Sequence, residues 1–183
     1  RFHYTGVLSA SNANPGWLVA RAAYITSGGM ENMSNTAFRC IWTGIRDCCL
    51  LVDNVDRVPD MTDAEKARYK AEAKVIMASK YFDGIHNFGG LPIVDHALAV
   101  DEVLEKPRST IEETVTFVVS LLDEAIAEPE LPWNIPASEL ATWAGRVTKA
   151  SALGIKAKLL NYVASPIFNS DTPYCAEEPQ EAV

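Results

Sequence analysis

This sequence predicts an all-α chain, and three observations carry the prediction. Apolar residues recur at steps of three and four in separate segments, the spacing of a helix with one buried face, and no segment shows the alternation of a strand. Two segments open on a capping box, Thr62-Asp63-Ala64-Glu65 and Thr110-Ile111-Glu112-Glu113, in which the Thr and Glu side chains satisfy free backbone donors reciprocally. Pro59, Pro129 and Pro166 stand where helices must stop, because proline lacks an N–H and collides with the preceding turn. Helix starts near residues 36, 63, 110 and 148 keep no constant period, so the pattern supports helical hairpins and not a strict repeat.

Residues 1–33, rich in Ser, Asn, Gly and Ala, read as mostly irregular. A short helix is expected at Trp17 to Ile25, between the turn chemistry of Asn14-Pro15-Gly16 and Ser27-Gly28-Gly29. From about Asn35, with Ser34 or Asn35 as N-cap, Phe38, Ile41, Ile45, Cys48, Val52 and Val55 fall on one face of a first helix. The second runs from about Asp63 to Phe82. Residues 83–108 form a long connection, of the kind that is functional or packed as an Ω-loop, with turns at Gly89-Gly90 and Pro92. Glycine there lets backbone approach a ligand, but a rigid turn that packs Phe88 and Leu91 into the core is preferred.

Ile111, Val115, Val118, Leu122, Ala125 and Ile126 make the buried stripe of the third helix. A Pro-rich link carrying Trp133 and Trp143 leads to the fourth, which Thr148 caps and Ser165-Pro166 ends. Its stripe is expected to be Val147, Ala150, Leu153, Ala157, Leu160 and Ala164. The thin face made by Ala150, Ser151, Ala152, Gly154 and Ala157 is expected to let a neighbouring helix approach closely. Residues 170–183 read as a tail or linker.

Composition bounds the function. The 183 residues suit a single domain or part of a larger one, and the 48% apolar content supports a folded core. A net charge of −8 without any basic run makes nucleic acid or an anionic membrane surface a poor partner. No stretch approaches the roughly 18 apolar residues of a membrane span. Nothing at Arg1 resembles a signal peptide, and the missing initiator Met suggests a processed or trimmed piece.

Chemical motifs are sparse. Cys40, Cys48, Cys49 and Cys175 contain no C-x-x-C pair, so buried free thiols are expected, without a zinc or redox site. Asp53, Asp56, Asp60 and Glu65 invite a calcium reading, but an EF-hand loop from Asp53 would need Gly and Glu where Val58 and Ala64 stand. His3, His86 and His96 lack ligand spacing. No nucleophile elbow, P-loop or dinucleotide fingerprint occurs. A glycosidase-type carboxylate pair needs only spatial proximity, yet nothing in the sequence points to one. No catalytic residue, metal or cofactor is therefore expected.

The run GR-x-TK-x-SA-x-x-x-KAKLL-x-Y-x-ASP-x-FN, residues 145–169, resembles the corresponding helix of SusD/RagB-type proteins, surface glycan-binding lipoproteins of Bacteroidota. A second run from Ala71, AEAKVIMASKYFDGIHNFGGLPIV, resembles the same family's helix and Phe-Gly-Gly-x-Pro turn. Arg108, and Asp123, Ala125, Ile126 and Leu131-Pro132 beyond it, also follow that pattern. Cys49 and Met77 depart from it, standing where the family commonly has Asn and Arg, which weakens transfer of ligand contacts from the first helix pair.

The resemblance implies tetratricopeptide-like helix pairs belonging to a larger protein whose lipobox, signal peptide and C-terminal region lie outside this chain. It implies a non-catalytic subunit that binds oligosaccharide or polysaccharide at the outer-membrane surface and docks on a SusC-like TonB-dependent transporter. The alternative is a helical protein-interaction scaffold without a carbohydrate ligand. Aromatic rings outside the helical stripes are the candidates for stacking on sugar: Trp17 first, then Tyr24, Trp133 and Trp143.

Overall fold

The computed structural model describes residues 27–99 and 107–169, with the backbone alone for residues 27–40. Five α-helices are present among the described residues: α1 (Ser27–Asn54), α2 (Asp63–Phe88), α3 (Ile111–Ala127), the single turn α4 (Leu140–Trp143) and α5 (Lys149–Val163). Short 3-10 turns at Val55–Arg57 and Ala137–Glu139 follow α1 and precede α4, and there is no strand among these residues. The chain divides into two units, residues 1–40 and 41–183. In the first, the described part is the start of α1. In the second, residues 41–54 of α1 pack with α2, α3 and α5 around one core.

α1 begins earlier than its sequence suggests. Ser27-Gly28-Gly29 is helical, and the expected caps Ser34 and Asn35 lie inside the helix. Glycine's propensity penalty of about 1 kcal/mol is a weak prior that context overrides. Ile41, Ile45, Cys48 and Val55 are buried as the stripe predicts, and Val52 is partly so. The side chain of Phe38 and the expected helix at Trp17 to Ile25 lie outside the described residues.

α2 is the central element. Ala71, Ala73, Val75, Met77, Ala78, Tyr81 and Ile85 bury several sides of it, because α1 and α3 both lean on this helix. The helix also passes the expected end at Phe82 and runs to Phe88, shortening the long connection. Gly84 does not break it: a Cβ there would come within 2.2 Å of Leu91 Cδ1, so this glycine makes room for the returning chain.

The stop comes at Gly89, with φ of 77°, where a side chain would be strained. At Gly90 a Cβ would stand 2.1 Å from Ser109 O, so the turn lies directly against the entry to α3. Arg108 clamps it by donating to the Gly90 carbonyl at 2.7 Å and to the Phe88 carbonyl. Thr114, wholly buried, accepts from Leu91 N–H at 3.0 Å and donates to Thr110 O at 2.7 Å. Tyr81 O–H accepts from Val94 N–H at 2.8 Å. The glycine pair is thus the rigid turn preferred from the sequence, with Leu91 buried beneath it and Phe88 partly so.

Both predicted capping boxes form, at Thr62 and Glu65 and at Thr110 and Glu113. Thr148 makes a third with Ser151. The predicted stripe of α3 is buried apart from Ile126, which is half-buried.

α5 departs from expectation in which side it buries. Ala152, Leu159 and Val163 are buried, with Ile155 and Tyr162 partly so, whereas Ala150, Ala157 and Ala164 are exposed and Leu153 and Leu160 are each 40% exposed. Nothing lies within 4 Å of a Cβ built at Gly154, so the expected close approach of another helix to the thin face is absent among the described residues. Two apolar arcs run along this helix, and the one facing α3 is the buried one. Lys156, lying between the arcs, reaches Asp123 of α3 at 2.6 Å.

Candidate functional site

The link from α3 to α5 carries the two described candidate tryptophans. Leu131 is buried at its start, and Lys149 N–H donates to Pro132 O at 2.9 Å. Trp133 follows directly on this anchored backbone, yet the residue is 58% exposed. An aromatic ring held out in this way is an available flat apolar surface, with the indole N–H at its edge.

Trp143 sits differently. It is half-buried, and the Arg68 and Arg146 guanidinium carbons lie 4.0 and 4.4 Å from its ring centroid, within cation–π range. Arg146 also lies 4.5 Å over Tyr69, whose ring is 5.9 Å from Trp143. Beneath these rings Glu72, almost fully buried, accepts from Arg146 Nε at 2.9 Å, from Arg146 Nη2, and from Arg68 Nε at 3.4 Å. Arg68 Nη1 donates to Glu139 at 3.1 Å. The hydrogen bond to Glu72 holds the Arg146 pKa above its ordinary value.

This cluster closes the link onto α2 through a buried carboxylate shared by two guanidiniums, a geometry strong because it is charge-assisted and forked. Both carboxylates serve as acceptors for arginine, so the arrangement orients Trp143. Arg68 and Glu72 are one helical turn apart, but Arg146 is 74 residues from Glu72, and local spacing gives no sign of that pairing.

A concavity of about 370 Å³ lies beside the first half of α2, lined by Asp56, Lys66, Lys70, Lys74, Glu124 and Glu128 among others. Lys70 pairs with Asp56 at 2.6 Å and Lys74 with Glu124 at 2.7 Å, so its charges are largely matched within the protein. Three of the four acidic residues that invited a calcium reading are occupied separately. Asp53 accepts from Ala97 N–H at 2.8 Å, Asp56 holds Lys70, and Glu65 closes a capping box. Among the described residues no group of three or more His, Cys, Asp or Glu side chains is placed to hold a metal.

Cys48 and Cys49 are buried free thiols, and burial pushes each pKa up to about 11. Thiols so far from ionisation are poor nucleophiles and metal ligands. Trp17, Tyr24, His3 and Cys175 lie outside the described residues, as does the side chain of Cys40.

No family model matches the chain, and neither does any curated protein. Solved structures do. A SusD-like protein from Bacteroides fragilis is 24% identical with a TM-score of 0.62, over 70% of this chain and 24% of that one. Surface glycan-binding protein A from Bacteroides uniformis is also 24% identical, with a TM-score of 0.63 over 69% of this chain and 27% of its own. The protein BT4246 is 29% identical with a TM-score of 0.66, covering 76% and 23% of the two chains. The chain thus spans about a quarter of the length of the structures it matches. Its helical pairs share the tetratricopeptide-like fold of the SusD-like structures, in keeping with the two motif runs.

Proposed function

We propose that this chain is the helical part of a SusD/RagB-like surface protein that binds neutral oligosaccharide without cleaving it and delivers it to a SusC-like TonB-dependent transporter. The observation that supports the reading is the fold it shares with a surface glycan-binding protein at a TM-score of 0.63. Its chemistry is compatible. A net charge of −8 disfavours polyanionic ligands, and Trp133 offers an exposed aromatic face next to anchored backbone.

Trp133 is the foremost described contact. Trp143, oriented by its two arginines, is a second, and Trp17 and Tyr24 complete the proposed set. The protein is placed by this reading at the outer-membrane surface on a lipid anchor. No helix among the described residues is long and apolar enough to cross a membrane.

Calorimetric titration with neutral oligosaccharides, alongside a product assay, tests the reading. Expected are measurable binding, weaker binding by Trp133→Ala, and ligand recovered at its original length. Time-dependent shortening would overturn the non-catalytic assignment. Binding by no member of the panel would favour a helical protein-interaction scaffold, a second reading that the exposed Leu153 and Leu160 on α5 support. Affinity purification of the full-length protein from native outer membranes separates the two further. Recovery of a TonB-dependent barrel supports delivery, and recovery of soluble partners alone supports the scaffold.

A further inference from the structure

The link between α3 and α5 is ordered without being buried. Between Leu131 and Ala152, the buried residues at its two ends, every side chain is exposed or half-buried. Ordering backbone costs conformational entropy at each residue, and a segment that buries little apolar surface recovers that cost through a few specific ties. The hydrogen bonds within the link are local: Glu139 N–H to Pro136 O at 2.9 Å, Ala144 N–H to Leu140 O at 3.2 Å and Arg146 N–H to Trp143 O at 3.2 Å. Val147 rests on the core near its far end.

Side chains join the middle of the link to α2, and they converge on one helical turn. Arg146 donates to Glu72, Arg68 donates to Glu139 at 3.1 Å, and Trp143 meets Arg68 and the Tyr69 ring. Glu72 is the centre, because its buried carboxylate accepts from Arg146 and from Arg68. The closed arrangement carries a cost. Arg68 Nη2 is buried without a hydrogen-bond partner, whereas a hydrated guanidinium would leave no donor unpaired. The two ends of the link already meet, since Lys149 N–H donates to Pro132 O at 2.9 Å. Lifting the middle from α2 therefore does not require α3 and α5 to part.

We infer that residues 133–148 are a strap that opens and closes on α2 as a unit, hinged where Pro132 meets Lys149 and latched by Arg146 on the Glu72 carboxylate. Closed, the strap holds the Trp143 ring against the two guanidiniums and covers part of Tyr69. Open, it gives Tyr69, Glu72 and Trp143 to water while Leu131, Ala152 and Leu159 stay buried in the core. Trp133 and Trp143 both belong to the strap, so its position governs how these two rings are presented. The device is a property of the fold and stands whether or not the rings meet a sugar.

Native-state hydrogen exchange of the whole chain at low urea concentrations tests it. Ala144 N–H reports on the strap, because the single turn α4 is too short to persist once released. Lys149 N–H reports on the hinge, and Val118 and Leu122 N–H report on the core. In wild type, Ala144 is expected to be protected, yet to exchange much faster than the α3 amides and with little urea dependence, since opening exposes little surface. Arg146→Lys keeps the charge and loses the fork, and should speed exchange at Ala144 about tenfold while leaving Lys149, Val118 and Leu122 unchanged. Glu72→Gln, the same break made from the α2 side, should speed Ala144 at least as much. Arg146 is half-buried on the link, so its variant folds even where Glu72→Gln does not. Exchange at Ala144 with the protection and urea dependence of Leu122 would overturn the separate unit, and an Ala144 without protection in wild type would overturn its closure. Unchanged exchange at Ala144 in Arg146→Lys would overturn the latch.

Discussion

α3 and α5 are both short, Thr-capped helices packed by an apolar stripe, yet they sit in the molecule differently. α3 buries the stripe its sequence shows, locked by the Gly89-Gly90 turn and by Thr114 beneath it. α5 carries two apolar arcs and buries only the one that meets α3, leaving Leu153 and Leu160 each 40% exposed. Periodicity reports that a helix has an apolar face. It does not say which of two faces finds a partner, because that choice is made by residues distant in sequence.

The largest expected effect tests this contrast directly. Leu122 on α3 is wholly buried, and Leu122→Ala should destabilise by about 2–5 kcal/mol through lost burial and the cavity left behind. The corresponding truncation on α5, Leu160→Ala, should shift stability by no more than about 0.5 kcal/mol, the usual range for surface substitutions. Urea unfolding of the two variants measures both. Similar losses would show that the outer arc of α5 is covered in solution.

Two glycines sharpen the comparison with opposite signs. Gly90→Ala places a methyl group 2.1 Å from the Ser109 carbonyl oxygen, where backbone must move, and should cost about 1–3 kcal/mol. Gly154→Ala meets nothing within 4 Å in an ordinary helical conformation and should stabilise by about 0.5–1 kcal/mol through propensity. Thermal midpoints should therefore move in opposite directions. A stabilising Gly90→Ala would dissolve the rigid-turn account.

What the sequence makes legible follows the range of each interaction. Capping boxes act over three residues, and those at Thr62 and Thr110 form as read. The α3 stripe repeats over one helix and is also correct. α2 runs past its expected end at Phe82 to Phe88, where Gly84 makes room for Leu91 of the returning chain, a contact that local spacing does not show. The candidate site was less legible. Trp133 is exposed, as its place outside the helical stripes implies, but the Arg68, Glu72 and Arg146 cluster that orients Trp143 joins residues 74 positions apart.

The caps provide a control in which the two regions should behave alike. Thr110→Ala on α3 and Thr148→Ala on α5 each remove a side-chain acceptor from an N-terminal backbone N–H, at 3.1 and 3.3 Å. Each should cost about 1 kcal/mol despite the different burial of the two helices. Equal losses in denaturant would show that α5 is as well formed as α3 and differs only in what covers it. A much smaller loss at Thr148 would show instead that its first turn frays.

Alkaline titration probes the well-packed side alone. Burial raises Cys48 and Cys49 from 9.0 to about 11, and Tyr81, hydrogen-bonded to Val94, from 10.0 to about 12. For these acids the folded state holds the proton more tightly than the unfolded chain does. Their stabilising contribution is therefore complete below the unfolded values and declines as pH rises toward the folded ones. Stability should stay level with respect to these groups up to about pH 9, then fall through pH 11. Replacing both cysteines with Ala should remove the first part of that decline while leaving the later part due to Tyr81, as equilibrium unfolding at closely spaced pH values will show. A decline unchanged in the double variant would mean that the thiols ionise as readily in the folded protein as in the unfolded chain. The packing of α1 against α2 would then be looser than the burial of Ile45, Cys49 and Tyr81 requires.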